Sequence, residues 1–112
     1  MQKDRIAAIS AEFKRVLSDI IRSEVKDPRV SEMTSVTHVE ITKDLKYAKA
    51  YISVFDTDKM KKSTIETLSH AEHHIKDEIG ARLRIRRLPQ ITFLLDTSIE
   101  YSSKISELLK KV

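Results

Sequence analysis

Apolar residues recur along this chain with two different periods, and the order of those periods constrains the fold more than any other feature. From residue 3 to about residue 25 they return every three or four positions, which is typical of an amphipathic helix. Pro28 follows, and proline both lacks a backbone N–H and disfavours helical geometry in the residue before it. The first helix is therefore predicted to end near residues 26–29.

The next two segments change to a period of two, as expected for strands with one buried face. Residues 33–42 are rich in β-branched side chains, and their alternation predicts that Thr37, Val39 and Ile41 share the buried face. Residues 47–55 alternate in the same way after a turn at 43–46. The two segments are predicted to form a hairpin whose second strand buries Ala48, Ala50, Ile52 and Val54.

A long helical stripe follows the hairpin, and its length implies a break. Apolar residues keep a spacing of three or four from Ile65 to Leu83. A straight helix of about 25 residues would be longer than a domain of this size. We expect the helix to break either near residues 69–74 or at Gly80.

A short apolar strand, residues 91–96, comes next, and a further helix is predicted at about 97–111. Because a helical connection joins the second and third strands, these should run parallel. The fold class is therefore predicted to be α+β: one domain over residues 1–112, of order αββααβ, with a core at about 3–96, a three-stranded mixed sheet and a C-terminal helix. No segment approaches the ~20 apolar residues of a membrane span, and we expect a cytoplasmic, monomeric protein.

Charge points to a polyanionic partner. Lysine and arginine number 21 against 17 acidic residues, which gives a formal net charge of +4. Four arginines fall within residues 82–87, and three lysines, Lys43, Lys46 and Lys49, lie in or beside the predicted hairpin turn. Cations at a helix end are also favoured by the helix dipole. If these segments meet in space, however, they form a basic surface suited to RNA phosphates.

Composition excludes several other classes of protein. The chain has no cysteine, and Gly80 is its one glycine, so a glycine-rich phosphate-binding loop cannot form. Aromatic residues make up 5% of the chain, which argues against base stacking on a sheet and favours contacts to phosphate and shape. His70 and His74 share a helix face but supply only two ligands, so we predict no metal and no cofactor. No nucleophile or acid–base pair stands out, and we predict no enzymatic activity.

Three motifs resemble one known family. They are KDPR at residues 26–29, DLKYAK at 44–49 and RLRIRRLPQITFLLD at 82–96. Together they are similar to bacterial ribosome-binding factor A, and the similarity extends from residue 3 to about residue 105. The resemblance implies a type II KH-like fold, which agrees with the order αββααβ obtained from the periods.

The resemblance also implies a function. Members of that family are assembly factors rather than catalysts: they bind the free small ribosomal subunit and assist late maturation of its rRNA around the 5′-terminal helix, with importance for growth in the cold. Release with the help of a ribosome-assembly GTPase is implied as well. The family replaces the RNA-gripping loop of KH domains with a helix-kink-helix of signature Ala-x-Gly. The matching residues here are Ala71, Glu72 and His73, so a histidine stands where the glycine is expected.

Three other functions remain open on the sequence alone. They are a protein-interaction adaptor that uses its terminal helices and open sheet edge, a general RNA-binding chaperone without ribosome specificity, and a small metal-dependent enzyme that uses the histidine cluster. For the RNA-binding hypothesis, the candidate contacts are the basic residues of the first helix, the hairpin and the segment after the long helix, together with two residues at the kink. They are Arg22, Arg29, Lys43, Lys46, Lys49, His73, Lys76, Arg82, Arg84, Arg86 and Arg87.

Overall fold

A computed structural model describes residues 2–85 and 87–98 of the chain, with side chains from Arg5 onward. Arg86 and the part of the predicted C-terminal helix from residue 99 lie outside the described residues. Three helices and three strands follow one another as αββααβ, so the predicted α+β fold class is confirmed. They are α1 (Gln2–Ser23), β1 (Thr34–Ile41), β2 (Tyr47–Val54), α2 (Asp58–His70), α3 (Glu72–Leu83) and β3 (Gln90–Leu95).

The three strands form one mixed sheet in the order β1-β2-β3. β1 pairs with β2 in antiparallel fashion, and β2 pairs with β3 in parallel, as the helical connection between them predicts. The described helices pack against one face of this sheet. The four residues that β2 directs to that face are at most 2% exposed, and they are the four that the alternation predicted: Ala48, Ala50, Ile52 and Val54.

The predicted buried face of β1 is wrong at one residue, Thr37. The register of β1 against β2 shifts between Val36 and His38, which makes Thr37 the extra residue of a β-bulge. β1 therefore buries Val36, Val39 and Ile41, while Thr37 is only half-buried. The Thr37 hydroxyl donates a hydrogen bond to the carboxylate of Asp96, a partner that the apolar core could not supply.

The helices contribute the other half of the core. α1 buries its stripe of Phe13, Val16, Leu17 and Ile20, each at most 2% exposed. Leu68 of α2 and Ile75 and Ile79 of α3 are fully buried against the same cluster. None of the described helices is long and apolar enough to cross a bilayer.

The break in the long helix lies at Ala71, inside the first of the two predicted intervals. Its backbone N–H is shared between the carbonyls of Thr67 (3.1 Å) and Leu68 (3.2 Å), and its own carbonyl accepts from the N–H of Ile75 at 2.9 Å. The chain thus turns at one residue, φ −91° and ψ 6°, without losing its hydrogen bonds. Gly80 lies inside α3, and a β-carbon there would stand 2.6 Å from Cδ1 of Leu88. That glycine permits close packing rather than a break.

Candidate nucleic-acid interface

The turn between β1 and β2 is held by the side chain of Asp44. Its Oδ1 accepts hydrogen bonds from the Thr42 hydroxyl at 2.6 Å and from the Lys46 N–H at 3.0 Å. The pKa of Asp44 is lowered, first by the Thr42 bond and then by the Lys46 backbone. Leu45 adopts a left-handed backbone, φ 61°, while its side chain packs on the core. The turn is therefore fixed, and the exposed side chains of Lys43 and Lys46 project from it.

β3 brings the arginine segment to the same turn. The N–H of Gln90 donates to the carbonyl of Lys46 at 2.9 Å, and Gln90 pairs with Tyr47 in the sheet. Arg87 precedes Gln90 by three residues, so its Cα lies within about 11 Å of that strand start. Arg84 ends α3 in the left-handed region, φ 53°, and its N–H donates to the Gly80 carbonyl. Both arginine side chains are exposed.

Four exposed cations therefore lie in the turn or within a few residues of the turn end of the sheet: Lys43, Lys46, Lys49 and Arg87. We call them the turn cluster. Among the residues that the structure describes, no ion pair occupies any of these four side chains. Three carboxylates lie near this end of the sheet: Asp44, which is engaged in the turn, Glu40, which is opposite Lys49 in the strand register, and Glu72, which accepts the N–H of Ile91 at the start of β3. A surface of this charge attracts phosphate groups.

Two predicted contacts lie elsewhere. Arg22 and Arg29 are next to the start of β1, which pairs with the end of β2 and not with the turn. A strand of this length spans about 23 Å, so these arginines are separated from the turn cluster by most of the sheet. Arg22 pairs with Asp19 at 2.8 Å. The structure thus gathers part of the predicted set and leaves this pair outside it.

Arg82 is also held within the fold. Its guanidinium bonds to the carboxylate of Glu24, which ties the end of α1 to α3. These two residues are 58 positions apart in the sequence, so no local pattern indicated the pair. The bond leaves Arg82 a weaker candidate for a phosphate contact than Arg84 or Arg87.

The kink is anchored to the sheet by Glu72. Its Oε1 accepts the backbone N–H of Ile91 at 3.1 Å, on the outer edge of β3. Sequence reasoning singled out Glu72 only as the middle residue of the family signature and did not foresee this bond. The residue fixes where α3 starts relative to β3, and therefore where the exposed side chains of the kink point.

His73 does not disturb the kink. In the described chain only Leu45 and Arg84 have a left-handed backbone among non-glycine residues, so the position of His73 needs no glycine. The His73 side chain is 86% exposed, with Nε2 3.7 Å from a carboxylate oxygen of Asp77. Lys76, on the same helix, is half-buried. His73 therefore places a polar ring on the surface of α3, in a backbone conformation that does not require glycine.

The structure places His74 beside two carboxylates, those of Glu24 and Glu78. His74 is grouped with Glu78 and Glu24, whose ligand atoms all lie within 4.8 Å of one another, rather than with His70. Glu24 already bonds to Arg82, and the three residues are exposed or half-exposed. Exposed acidic groups are common without a metal, and the absence of a metal here stays a prediction.

Arg29 lowers the pKa of the neighbouring Asp27 carboxyl group. Its Nε and Nη2 donate to the two carboxylate oxygens of Asp27 at 3.0 and 2.7 Å. These bonds, and one from the Arg29 backbone N–H, lower the pKa of Asp27 to about 2. The pair closes the loop that follows α1.

We expect the substitution Arg29→Ala to raise the pKa of Asp27 from about 2 toward the ordinary value of ~3.9, measured by NMR titration of the carboxyl carbon. Because the folded-state pKa lies below the unfolded one, the pair stabilises the fold above pH ~3.9, and this contribution is lost as the pH falls toward 2. Lys26→Ala is the control in the same loop. A pKa that stayed low in Arg29→Ala would assign the effect to the backbone N–H alone.

Comparison with known proteins places this geometry in a family. The family model described as "Ribosome-binding factor A" matches residues 5–109. The chain belongs to the ribosome-binding factor A family. Ribosome-binding factor A of Caldanaerobacter subterraneus subsp. tengcongensis is 47% identical over 104 residues, which is 93% of this chain and 85% of that protein. Ribosome-binding factor A of Clostridium kluyveri is 45% identical over 112 residues, which is 100% of this chain and 93% of the relative.

Solved structures of ribosome-binding factor A share the fold. The crystal structure of the Thermus thermophilus protein has a TM-score of 0.71 and 30% identity, and covers 80% of this chain and 94% of that one. A homology model of Thermus thermophilus ribosome binding factor A, fitted into the cryo-EM map of a 30S complex, has a TM-score of 0.67 and 28% identity. It covers 79% of this chain and 91% of that one. The αββααβ order and the resemblance found in the sequence are thus confirmed.

Proposed function

We propose that this protein is a non-enzymatic assembly factor that binds the free small ribosomal subunit through its rRNA. Support comes from the turn cluster, where Lys43, Lys46, Lys49 and Arg87 meet at one end of the sheet. Family membership gives the partner, since the Thermus thermophilus relative was fitted into a map of a 30S complex. The proposed place of action is the cytoplasm, and the proposed working form is a monomer.

The proposed contact surface is wider than the turn cluster. Arg84 extends it along the segment before β3, and His73 and Lys76 add polar groups from α3 near the kink. Arg86, which lies outside the described residues, stays a candidate from the sequence. Arg22, Arg29 and Arg82 remain candidates for secondary contacts, because each would first have to give up an intramolecular carboxylate. Losing such an exposed pair costs little, so a phosphate could compete for these guanidinium groups.

Binding alone can do the work of such a factor. A protein that binds one arrangement of rRNA more tightly than another shifts the population by its differential affinity and by no more. We propose that it favours an immature arrangement around the 5′-terminal helix, which the family resemblance indicates, and so assists late maturation, including growth in the cold. As mature contacts form, the favoured surface is lost and the protein leaves, with displacement by an assembly GTPase as the proposed final step.

Co-sedimentation through sucrose gradients tests the proposal. The purified protein is mixed with free small subunits, free large subunits or assembled ribosomes at several salt concentrations. We expect enrichment with the free small subunit only. Four phosphate contacts should give a slope of log affinity against log salt of about −3, because each neutralised phosphate releases condensed ions.

Two results would contradict the proposal. Equal enrichment with all three particles would favour a general RNA-binding chaperone. Small-subunit binding that changed little with salt would favour the adaptor hypothesis, in which protein contacts replace phosphate contacts.

A further inference from the structure

The sheet has a second face, and its aromatic residues are aligned there. The helices cover the face that buries Ala48 and Ile52, so alternate residues of β2 point the other way: Tyr47, Lys49 and Tyr51. Tyr47 is 57% exposed. His38 of β1 pairs with Tyr51 across the strands, and their ring centroids are 5.8 Å apart with planes tilted by 32°. We call Tyr47, Tyr51 and His38 the aromatic face.

The small number of aromatic residues in the sequence argued against a stacking surface, but their placement does not. Two of the chain's three tyrosines lie on this face, four residues apart on one strand. That spacing puts them about 13 Å apart with Lys49 between them. Phenol and imidazole rings held on a sheet lose little freedom when a planar base lies against them.

Among the described residues, three cations of the turn cluster lie within this face or on its β2–β3 side. Lys49 lies within it, Lys46 directly precedes Tyr47, and Gln90 pairs with Tyr47 and leads back to Arg87. On the opposite side Glu40 pairs with Lys49, and its carboxylate is 3.3 Å from Nε2 of His38. A phosphate chain is therefore favoured along the β2–β3 side and disfavoured over β1.

We propose that the aromatic face binds unpaired nucleotides, whose bases stack on Tyr47 and Tyr51 while Lys49 and the turn cluster hold their phosphates. The inference rests on the proposed rRNA-binding function and defines its ligand as single-stranded rather than duplex RNA. Bases of an A-form duplex stay stacked on each other and cannot reach a ring on the protein surface. Phosphate contacts by the turn cluster alone would not distinguish the two.

The test uses fluorescence anisotropy of the full chain with a labelled single-stranded RNA 12-mer and with a duplex of the same length, at low salt. We expect tighter binding of the single strand. Tyr47→Ala should weaken single-strand binding about tenfold or more and leave duplex binding within about twofold, since base stacking on one aromatic ring contributes that much. Tyr47→Phe keeps the ring and should restore binding to within about threefold of the unmodified protein.

Phe55→Ala is the matched control, because Phe55 is also an exposed aromatic, 74% exposed, but directly follows the far end of β2 from the turn cluster. It should change single-strand affinity by less than about twofold. The chain contains no tryptophan, so its emission comes from three tyrosines, two of which lie on the aromatic face. Single-stranded RNA should quench that emission in the unmodified protein, and less in Tyr47→Ala.

Several outcomes would overturn the stacking proposal. They are equal affinity for single strand and duplex, equal losses in Tyr47→Phe and Tyr47→Ala, or an equal loss in Phe55→Ala. If Tyr47→Ala lost small-subunit binding while its RNA affinity was unchanged, the face would contact a ribosomal protein instead. If the unmodified protein bound small subunits but did not prefer single-stranded RNA, the proposed function would be supported and the stacking proposal would be rejected. If it bound neither subunits nor RNA, the proposed function itself would fall.

Discussion

Reversing the charge of Lys43, Lys46 and Arg87 together to glutamate is expected to weaken small-subunit binding by about 100-fold or more at moderate salt. Each reversal removes a phosphate contact and places a carboxylate against the rRNA backbone, which repels it. The slope of log affinity against log salt should become shallower by about one for each lost contact. Sedimentation with free small subunits at several salt concentrations measures both quantities.

The matched control reverses three cations at the other end of the sheet, Arg22, Lys26 and Arg29. Both triple variants change the net charge equally, so general electrostatic attraction falls by the same amount in each. We expect a much smaller loss in the control, because Arg22 and Arg29 lie far from the turn cluster and are paired with Asp19 and Asp27. Circular dichroism verifies folding. Equal losses in the two variants would mean that net charge, and not this surface, determines binding.

Ile75→Ala is expected to lower the free energy of unfolding by about 2–5 kcal/mol, the range for deleting a fully buried isoleucine side chain. Ile75 is fully buried, and its N–H bonds to the carbonyl of Ala71 at the kink. For a domain of this size the melting temperature should fall by about 10 °C or more. Urea unfolding and a thermal scan measure the loss.

Lys76→Ala, one residue further along α3, provides the comparison. Its half-buried side chain contacts less of the core, so a change below about 0.5 kcal/mol is expected. A loss of less than 1 kcal/mol in Ile75→Ala would contradict the packing described for the kink. Leu68→Ala, from the helix before the kink, should behave like Ile75→Ala because Leu68 is buried in the same cluster.

Periodicity was enough to predict the order of elements and most of the core. A change from a period of 3.6 to a period of 2 reflects geometry that does not depend on distant residues, so β2 and its buried face could be predicted. The bulge at Thr37 could not be predicted, because an extra residue in one strand is visible only against its partner strand. The hydroxyl of Thr37 then found its acceptor in Asp96, 59 residues away.

The break in the long helix shows a second limit of sequence reasoning. Glycine often marks the position where a helix breaks. Here Gly80 instead allows Leu88 to pack closely, and the chain turns at Ala71. Only the fold decides which of the two roles a glycine plays, since the neighbour Leu88 approaches from the following loop.

The sequence indicated which residues form a basic surface, but not which of the predicted cations lie outside it. Clustering along the chain indicated the hairpin lysines and the arginine segment, and the pairing of Gln90 with Tyr47 brings these two regions together. The same reasoning had no means of separating Arg22 and Arg29 from them. Charge runs in a sequence show which residues are cationic, whereas the register of the strands determines which of them are neighbours.

The bond from Ile91 to Glu72 has a consequence for self-association. β3 is an edge strand, and exposed edge N–H groups can template the addition of a strand from another molecule. At Ile91 that donor is already taken by a carboxylate of the same chain, and the negative charge beside it opposes an incoming backbone carbonyl. The residue that positions the kink thereby also opposes the addition of another strand at the Ile91 position of this edge.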